Sequence, residues 1–118
     1  MRIAVIADIH GNYQALEAVL EDIDNQQITA VFSLGDTIGY GPEPDKVVQT
    51  LIDRKIDSVL GNHELALFDK RYLKRLNFIT RDSLALTRNI LSPGSLEWLR
   101  KLKHSKIIHG ARMVHGCP

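Results

Sequence analysis

The 118-residue sequence is short of cysteine, of net charge and of long apolar runs, and each shortage excludes a class of protein. Its single cysteine, Cys117, has no partner for a disulfide within the chain, which excludes a disulfide-stapled secreted domain and indicates a reducing compartment. No apolar run approaches the roughly 18 residues that span a bilayer, and the apolar run 3–7 is too short for a signal peptide. We therefore expect a cytoplasmic protein that does not enter a membrane.

The net charge of +1 gives little general attraction to nucleic acid. Basic residues do cluster late, at 70–71, 74–75 and 100–106, but they stand among apolar residues at helical spacing. We interpret them as solvated helix faces rather than as a nucleic-acid patch. With 44% hydrophobic and 25% charged residues, the composition is that of an ordinary globular domain, and its length is enough to bury a core. The prediction is one domain over residues 1–118.

Short apolar runs alternate with helical patterns along the first half of the chain. The runs 2–7, 29–34 and 58–60 predict strands buried on both faces. Residues 13–24 place apolar side chains at i, i+3, i+4 and i+7, which predicts an amphipathic helix. Its apolar positions are Leu16, Val19, Leu20 and Ile23. This alternation predicts an α/β fold with a mostly parallel sheet flanked by helices.

Further helices and a strand pair are predicted after the second strand. Pro44 can occupy the first turn of a helix whose apolar stripe is Val47, Val48, Leu51 and Ile52. The pattern is helical over 62–89, with Leu84, Leu86 and Ile90 among the apolar positions, and again over 95–102. Residues 106–109 and 111–114 should form a pair of strands around Gly110.

Polar side chains follow the ends of four predicted strands. They are Asp8, Asp36, Asn62 and His115. In open α/β sheets, ligands bind beyond the carboxyl ends of the strands, so we expect these side chains to converge. Asp8 and His10 are two residues apart in an extended segment and can hold one cation together. Asp36 follows Gly35, whose missing side chain allows close backbone approach, and its carboxylate has two oxygens that can bridge two cations. Oxygen and imidazole donors suit Mn, Fe, Zn, Co or Ni.

Each of these residues also has an ordinary structural interpretation. Asp8 and Asp36 could be helix caps or turn formers, and Asn62 could be the N-cap of the helix that follows it. We interpret His104 and His109 as structural or exposed. Cys117 is interpreted as an inert small residue, because nothing around it argues for a lowered pKa. No phosphate-cradling glycine motif is present.

Taken together, the motifs resemble those of the calcineurin-like metallophosphoesterase superfamily, in particular its small bacterial and archaeal phosphodiesterase-type members. The matching segments are Asp8-Ile9-His10-Gly11-Asn12, residues 35–42, Gly61-Asn62-His63-Glu64 and His115-Gly116-Cys117-Pro118. The resemblance implies the N-terminal half of an α/β/β/α sandwich. Protein phosphatases and diadenosine tetraphosphatases tend to carry an arginine in the segment after Gly-Asp, whereas this chain has Tyr40, which favours the phosphodiesterase-type branch.

The resemblance also implies a dinuclear site and roles for its residues. Asp8 and His10 would hold the first metal, Asp36 would bridge both, and Asn62 and His115 would hold the second. His63 would act beside the substrate as proton donor or transition-state stabiliser, supported by Asp36. The cofactors would be two divalent ions, with Mn favoured and Fe, Zn, Ni or Co as alternatives.

The implied activity is hydrolysis of small-molecule phosphomonoesters or phosphodiesters by a hydroxide that bridges the two metals. Members of the superfamily normally supply two further histidines from a later Gly-His-x-His motif, whereas this sequence stops at Pro118. We therefore expect a truncated domain that lacks one ligand at each metal and exposes a sheet face, which favours a homo-oligomer. The alternative left open is a catalytically impaired form that works as a metal- or phosphate-binding or interaction module.

Overall fold

A computed structural model describes residues 1–116, in which three strands alternate with helices before a terminal hairpin. Cys117, interpreted above as inert, and Pro118 of the same motif lie outside the described residues. The strands are β1 (Ile3–Ile6), β2 (Ala30–Ser33), β3 (Asp57–Ser58), β4 (Ser105–Ile108) and β5 (Ala111–Val114). The helices are α1 (Tyr13–Asp24), α2 (Pro44–Asp53), α3 (Asn62–Phe68), α4 (Lys70–Leu73), α5 (Phe78–Ile90) and α6 (Pro93–Arg100).

The first three strands form a parallel sheet in the order β1-β2-β3, which confirms the predicted α/β class. Val5 of β1 is in register with Phe32 of β2, and Phe32 with Asp57 of β3. β4 and β5 pair antiparallel, as expected around Gly110. His109 and Gly110 both have positive φ, at 50° and 80°, as in the tight turns that match the twist of a hairpin. The carboxyl ends of the three parallel strands therefore lie along one edge of the sheet.

Two expectations from the sequence are wrong in detail. The third strand covers only Asp57–Ser58 instead of residues 58–60, and Val59 makes an isolated bridge to Lys103. The helical pattern over 62–89 is three helices instead of one, because two capping residues interrupt it. The Asp69 side chain accepts the amides of Arg71 and Tyr72 at the start of α4. Asn77 accepts the amide of Thr80 and starts α5 in the same way.

The other helices begin where local chemistry favours them. Asn12 caps α1 by accepting the amide of Ala15, and Pro44 stands in the first turn of α2, as predicted. The last helix starts at Pro93, earlier than the predicted residue 95, because Ser92 accepts the amide of Ser95 and serves as the N-cap. No helix among residues 1–116 combines the length and the apolar character needed to cross a bilayer.

The core of the described residues lies in three clusters: one under α1 and α2, one among α2, α3, α5 and α6, and a smaller one where Phe32 of β2 meets Met113 of β5 and Val59. Ile38 is fully buried in the second cluster, and it stands only two residues after Asp36. The core thus anchors the loop that carries Asp36. The sequence also assigned apolar roles to Val19, Leu86 and Ile90, but these side chains are largely exposed. They lie on helix faces that the described part of the chain does not cover.

Candidate metal centre

The loops that follow β1 and β2 are joined by backbone hydrogen bonds just beyond the sheet. The amide of Asp8 donates to the carbonyl of Gly35 at 3.0 Å, and the amide of His10 donates to the carbonyl of Asp36 at 2.9 Å. The ladder of the parallel sheet thus continues into the loops. It carries the side chains of Asp8, His10 and Asp36 to the same edge, as the positions of these residues after their strands predicted.

Asp36 lies at the centre of the cluster. Its Oδ2 is 3.7 Å from His10 Nε2 and 3.5 Å from His115 Nε2, while Asp8 Oδ1 is 4.0 Å from His10 Nε2. Potential ligand atoms within 4.8 Å of one another form two groups, which both contain Asp36. The groups are Asp8, Asp36 and His115, and His10, Asp36 and His63. This grouping places His115 with Asp8, whereas the resemblance assigned Asp8 to the first metal and His115 to the second.

Backbone carbonyls orient the two histidines. His10 Nδ1 is 3.1 Å from the carbonyl oxygen of Ile38, and His115 Nδ1 is 2.8 Å from that of Leu34. A carbonyl oxygen can only accept, so both Nδ1 atoms carry the hydrogen, and in the neutral rings both Nε2 lone pairs face Asp36. Lone pairs that face a carboxylate need a positive charge between them. This arrangement is the one that metal-binding histidines adopt, and it fits a divalent cation.

Asn62 adds a further acceptor to the same place. Its Oδ1 is 3.1 Å from His115 Nε2 and also faces the carboxylate of Asp36, so acceptors converge on one point. Turning the amide over would let its nitrogen donate to Asp36 Oδ2 at 2.9 Å instead. The interpretation of Asn62 as an N-cap is wrong, because Gly61 occupies that position and Asn62 is the first residue of α3. The amide is therefore directed into the cluster and is free to act as an oxygen ligand there.

The backbone around the cluster is unusual. Asp8, His10 and Asp36 have positive φ angles of 56°, 49° and 56°, and Tyr40 has 67°. For residues other than glycine, this left-handed conformation costs roughly 1–2 kcal/mol each. Such conformations concentrate at functional sites, where the surrounding structure holds them. Three neighbouring residues of this kind are consistent with a binding site, although Lys55 and His109 share the conformation at turns elsewhere, and the role of Asp8 and Asp36 as ligands stays a prediction.

The family of the chain follows from comparison with known proteins. The family model of calcineurin-like phosphoesterases matches residues 1–116. The chain belongs to this family. It is 39% identical over 100 residues to the uncharacterized protein MJ0912 of Methanocaldococcus jannaschii, a match that covers 85% of this chain and 41% of that protein. It is 33% identical over 119 residues to a symmetrical bis(5'-nucleosyl)-tetraphosphatase of Delftia acidovorans, covering 98% of this chain and 41% of that one.

A solved structure gives the same result for the fold. The crystal structure of a metallophosphoesterase from Sphaerobacter thermophilus matches with a TM-score of 0.73 and 36% identity, over 92% of this chain and 44% of that one. The α/β architecture expected from the sequence is therefore confirmed as that of a metallophosphoesterase. The chain spans about two fifths of the length of the curated relatives it matches.

In this member of the calcineurin-like phosphoesterase family, glycines allow the loops to approach closely. A Cβ added to Gly61 would lie 2.3 Å from both the amide nitrogen and Oδ1 of Asp36. A Cβ added to Gly35, which has φ +97°, would lie 2.6 Å from the amide nitrogen of Gly61. The close backbone approach expected at Gly35 is confirmed, and it fixes the position of the Asp36 carboxylate relative to α3.

His63 is held beside the candidate ligands. It is 4% exposed, and its ring centroid is 4.6 Å from that of His10. Its backbone amide donates to Asp36 Oδ1 at 3.0 Å, so Asp36 supports the main chain of His63. The ring Nδ1 is buried and finds no hydrogen-bond partner among residues 1–116. Burial lowers the pKa of His63, and the charge of Asp36 offsets part of this effect. His63 is therefore a neutral imidazole at pH 7.

Reasoning from the sequence missed two residues of the candidate site. Glu64 was noted only as part of a motif, yet it is fully buried, and its Oε1 accepts the amide of Thr37 at 2.9 Å. Burial raises its pKa to about 8. Its spacing of three residues from the buried Leu67 was the available signal, because both lie on the core face of α3.

Tyr40 is the second missed residue. The sequence indicated only that it could shape a turn and that it favours the phosphodiesterase-type branch of the family. Its ring centroid lies 5.1 Å from that of His10 and 4.8 Å from that of His63. Its hydroxyl is 2.8 Å from Thr80 Oγ1, and its amide donates to Ser83 Oγ at 2.6 Å. No sequence periodicity connects residue 40 with α5, so only the fold reveals these contacts.

Proposed function

We propose that the chain is a metal-dependent phosphoesterase that hydrolyses phosphomonoesters or phosphodiesters at a dinuclear centre. The single observation that supports this proposal is the arrangement around Asp36, where two histidines tied to backbone carbonyls face one carboxylate oxygen at 3.5 and 3.7 Å. The names of the relatives point to the same chemistry, since one is a symmetrical bis(5'-nucleosyl)-tetraphosphatase. The proposal applies to a chain that spans only part of those relatives.

The proposed ligand roles are those that the family resemblance implies. Asp36 would bridge the two ions, since it belongs to both groups of candidate ligands. Asp8 and His10 would complete one side, and Asn62 and His115 the other. When bound, two divalent ions supply a hydroxide nucleophile at neutral pH and neutralise the charge of the phosphate. Mn is the favoured metal from the family resemblance, and the donors, which are carboxylate oxygen, amide oxygen and imidazole without thiolate, suit Fe, Zn, Co or Ni as well.

The remaining residues would orient the reaction. With its pKa lowered, His63 would stabilise the leaving oxygen as a neutral N–H donor rather than as an imidazolium. Asp36 holds the main chain of His63 through its other oxygen, so the bridging ligand and the donor move as one unit. Glu64 fixes the loop after Asp36 by accepting the Thr37 amide.

Hydrolysis of bis-p-nitrophenyl phosphate with added Mn²⁺ tests the proposal. Asp36→Asn should reduce the metal-stimulated rate by roughly 100-fold or more, because the bridging charge is lost. Asp53→Asn is the matched control, since Asp53 is an exposed carboxylate at the end of α2, and its rate should equal that of the wild type. Hydrolysis that persists in Asp36→Asn, or that Mn²⁺ does not stimulate, would contradict the proposal that this chain is a metal-dependent phosphoesterase.

Elemental analysis of the same preparations distinguishes the enzyme from the catalytically impaired alternative. Two metal ions per chain with hydrolysis support the dinuclear enzyme. Bound metal without hydrolysis of any phosphate ester would support the impaired form, which acts as a metal- or phosphate-binding or interaction module. The expected cytoplasmic location and a homo-oligomer that covers an exposed sheet face stay predictions. Val5 of β1, which is 45% exposed, is the strand residue on which such a contact would form.

A further inference from the structure

An open cavity of about 580 Å³ lies directly beside the candidate metal centre. Asp8 and His10 form the wall that it shares with the centre, and Tyr13, Tyr40 and Glu43 line the rest. Its volume is within the roughly 300–1,000 Å³ of sites for small organic ligands. A phosphate held at the Asp36 cluster would therefore have one ester group within reach of this cavity.

The charge of the cavity indicates what it can hold. None of the described residues that line it is a lysine or an arginine. The nearby Lys46 is engaged, since its Nζ is 3.5 Å from Glu43 Oε1 and 4.8 Å from the centre of the Tyr13 ring. A further phosphate group would therefore find no cation among the described lining residues, and the charge of the nearby Lys46 is already paired with Glu43. The cavity thus suits an uncharged organic group and disfavours a polyphosphate chain.

Tyr40 supplies the surface for that group. It is 55% exposed although its ring packs against His10 and His63, so part of the ring remains open to the cavity. Contacts to two residues of α5 hold it, through its hydroxyl to Thr80 and its amide to Ser83. A ring fixed in this way loses little entropy when a ligand packs on it. Aromatic groups pack on such a ring in an offset or edge-to-face manner.

We propose that this cavity binds the organic group of the phosphate ester, and that the preferred group is a planar aromatic ring such as a nucleobase, packed on Tyr40. The inference rests on the proposed function, because the Asp36 cluster must hold the phosphate. It assigns Tyr40 as a specificity-determining residue. The chemistry of the substrate class is that of a nucleoside phosphate ester with an uncharged nucleoside in the cavity.

Inhibition of the Mn²⁺-stimulated hydrolysis of bis-p-nitrophenyl phosphate tests the assignment, because an inhibition constant reports the affinity of a competing phosphate ester even where the protein hydrolyses it. Adenosine 5'-monophosphate and ribose 5-phosphate differ only in the base, so their affinity ratio measures the contribution of the cavity. Packing of a base on an aromatic ring is worth roughly 5- to 150-fold in affinity, and we expect the nucleotide to bind at least tenfold more tightly. Pyrophosphate should gain nothing over inorganic phosphate.

The variants separate the ring from other effects. Tyr40→Leu should abolish most of the preference for the nucleotide over ribose 5-phosphate, whereas Tyr40→Phe should retain this preference. Phe78→Leu is the control, since Phe78 is an exposed aromatic residue that does not line the cavity. Circular dichroism of each variant checks that it is folded.

The outcomes distinguish this inference from the proposed function. Metal-dependent binding of both phosphates with equal affinity would overturn the role of the cavity and leave the phosphoesterase proposal standing. A nucleotide preference that survives Tyr40→Leu would overturn the assignment of Tyr40. Failure of either phosphate to bind in a metal-dependent manner would overturn the proposed function and this inference with it.

Discussion

Glu64 should make the stability of the protein depend on pH in an unusual direction. Its pKa is raised from 4.5 to about 8, mainly because burial disfavours the charged carboxylate, while the nearby charge of Asp36 adds to the rise. Between these two pH values, the native protein keeps a proton on Glu64 that the unfolded chain has lost. The contribution of Glu64 to stability is therefore intact below pH 4.5 and is lost progressively as the pH rises to about 8.

The size of the effect follows from the two pKa values. Each pH unit in this window lowers the free energy of unfolding by about 1.4 kcal/mol. The titration of Glu64 can therefore change the free energy of unfolding by at most about 5 kcal/mol. This is comparable to the whole stability of many small domains. Glu64→Gln removes the titration and keeps a carbonyl oxygen where Oε1 accepts the Thr37 amide. The variant should therefore gain stability over the wild type as the pH rises.

Urea unfolding of the metal-free protein at unit steps from pH 5 to pH 8 measures this gain. The quantity to compare is the free energy of unfolding of Glu64→Gln minus that of the wild type, which cancels the other titrating groups. Glu17→Gln, at an exposed position on α1, is the control and should give a flat difference. A difference for Glu64→Gln that stays flat, or that decreases with pH, would refute the argument that burial keeps this carboxyl neutral.

Two further substitutions test the packing of the site and of the core. Gly61→Ala places a Cβ 2.3 Å from Asp36 and should weaken Mn²⁺ binding by roughly tenfold or more in calorimetry. The control is Gly94→Ala, whose Cβ would meet nothing closer than 3.9 Å and which should bind Mn²⁺ normally. Equal Mn²⁺ affinities of the two variants would contradict the role of the contact between residues 61 and 36. Leu99→Ala should lower the free energy of unfolding, measured in urea, by about 2–5 kcal/mol, because Leu99 is fully buried. Leu86→Ala, at an exposed position, should change it by less than about 1 kcal/mol. Similar values for the two variants would contradict the burial of Leu99 in the core.

The sequence was sufficient to predict the positions of the candidate ligands along the fold. Strand ends are visible as the point where an apolar run stops, and in a parallel sheet all such ends share one edge. Asp8, Asp36, Asn62 and His115 were therefore expected to meet, and the structure brings them together around Asp36. The ligand roles themselves stay predictions, since they came from family resemblance and their test is metal binding.

Contacts between distant segments could not be predicted in the same way. Tyr40 reaches Thr80 on α5, and Glu64 reaches Thr37, across separations that no local periodicity encodes. The three helices between 62 and 90 were merged in the prediction because the apolar pattern runs through Asp69 and Asn77, whose capping function depends on backbone angles. Exposure of Leu86 and Val19 was missed for a related reason, because amphipathic spacing indicates a face and not what covers it.

The left-handed residues of the site have a consequence for attempts to improve this protein. Asp8, His10, Asp36 and Tyr40 hold backbone conformations that glycine would adopt without steric strain. Replacing any of them by glycine relaxes the chain and deletes a side chain of the centre in the same step. A selection for heat tolerance alone would therefore enrich inactive variants. Directed evolution of this chain should keep the metal and a phosphate ligand present from the first round, so that the strained conformations are retained by what they bind.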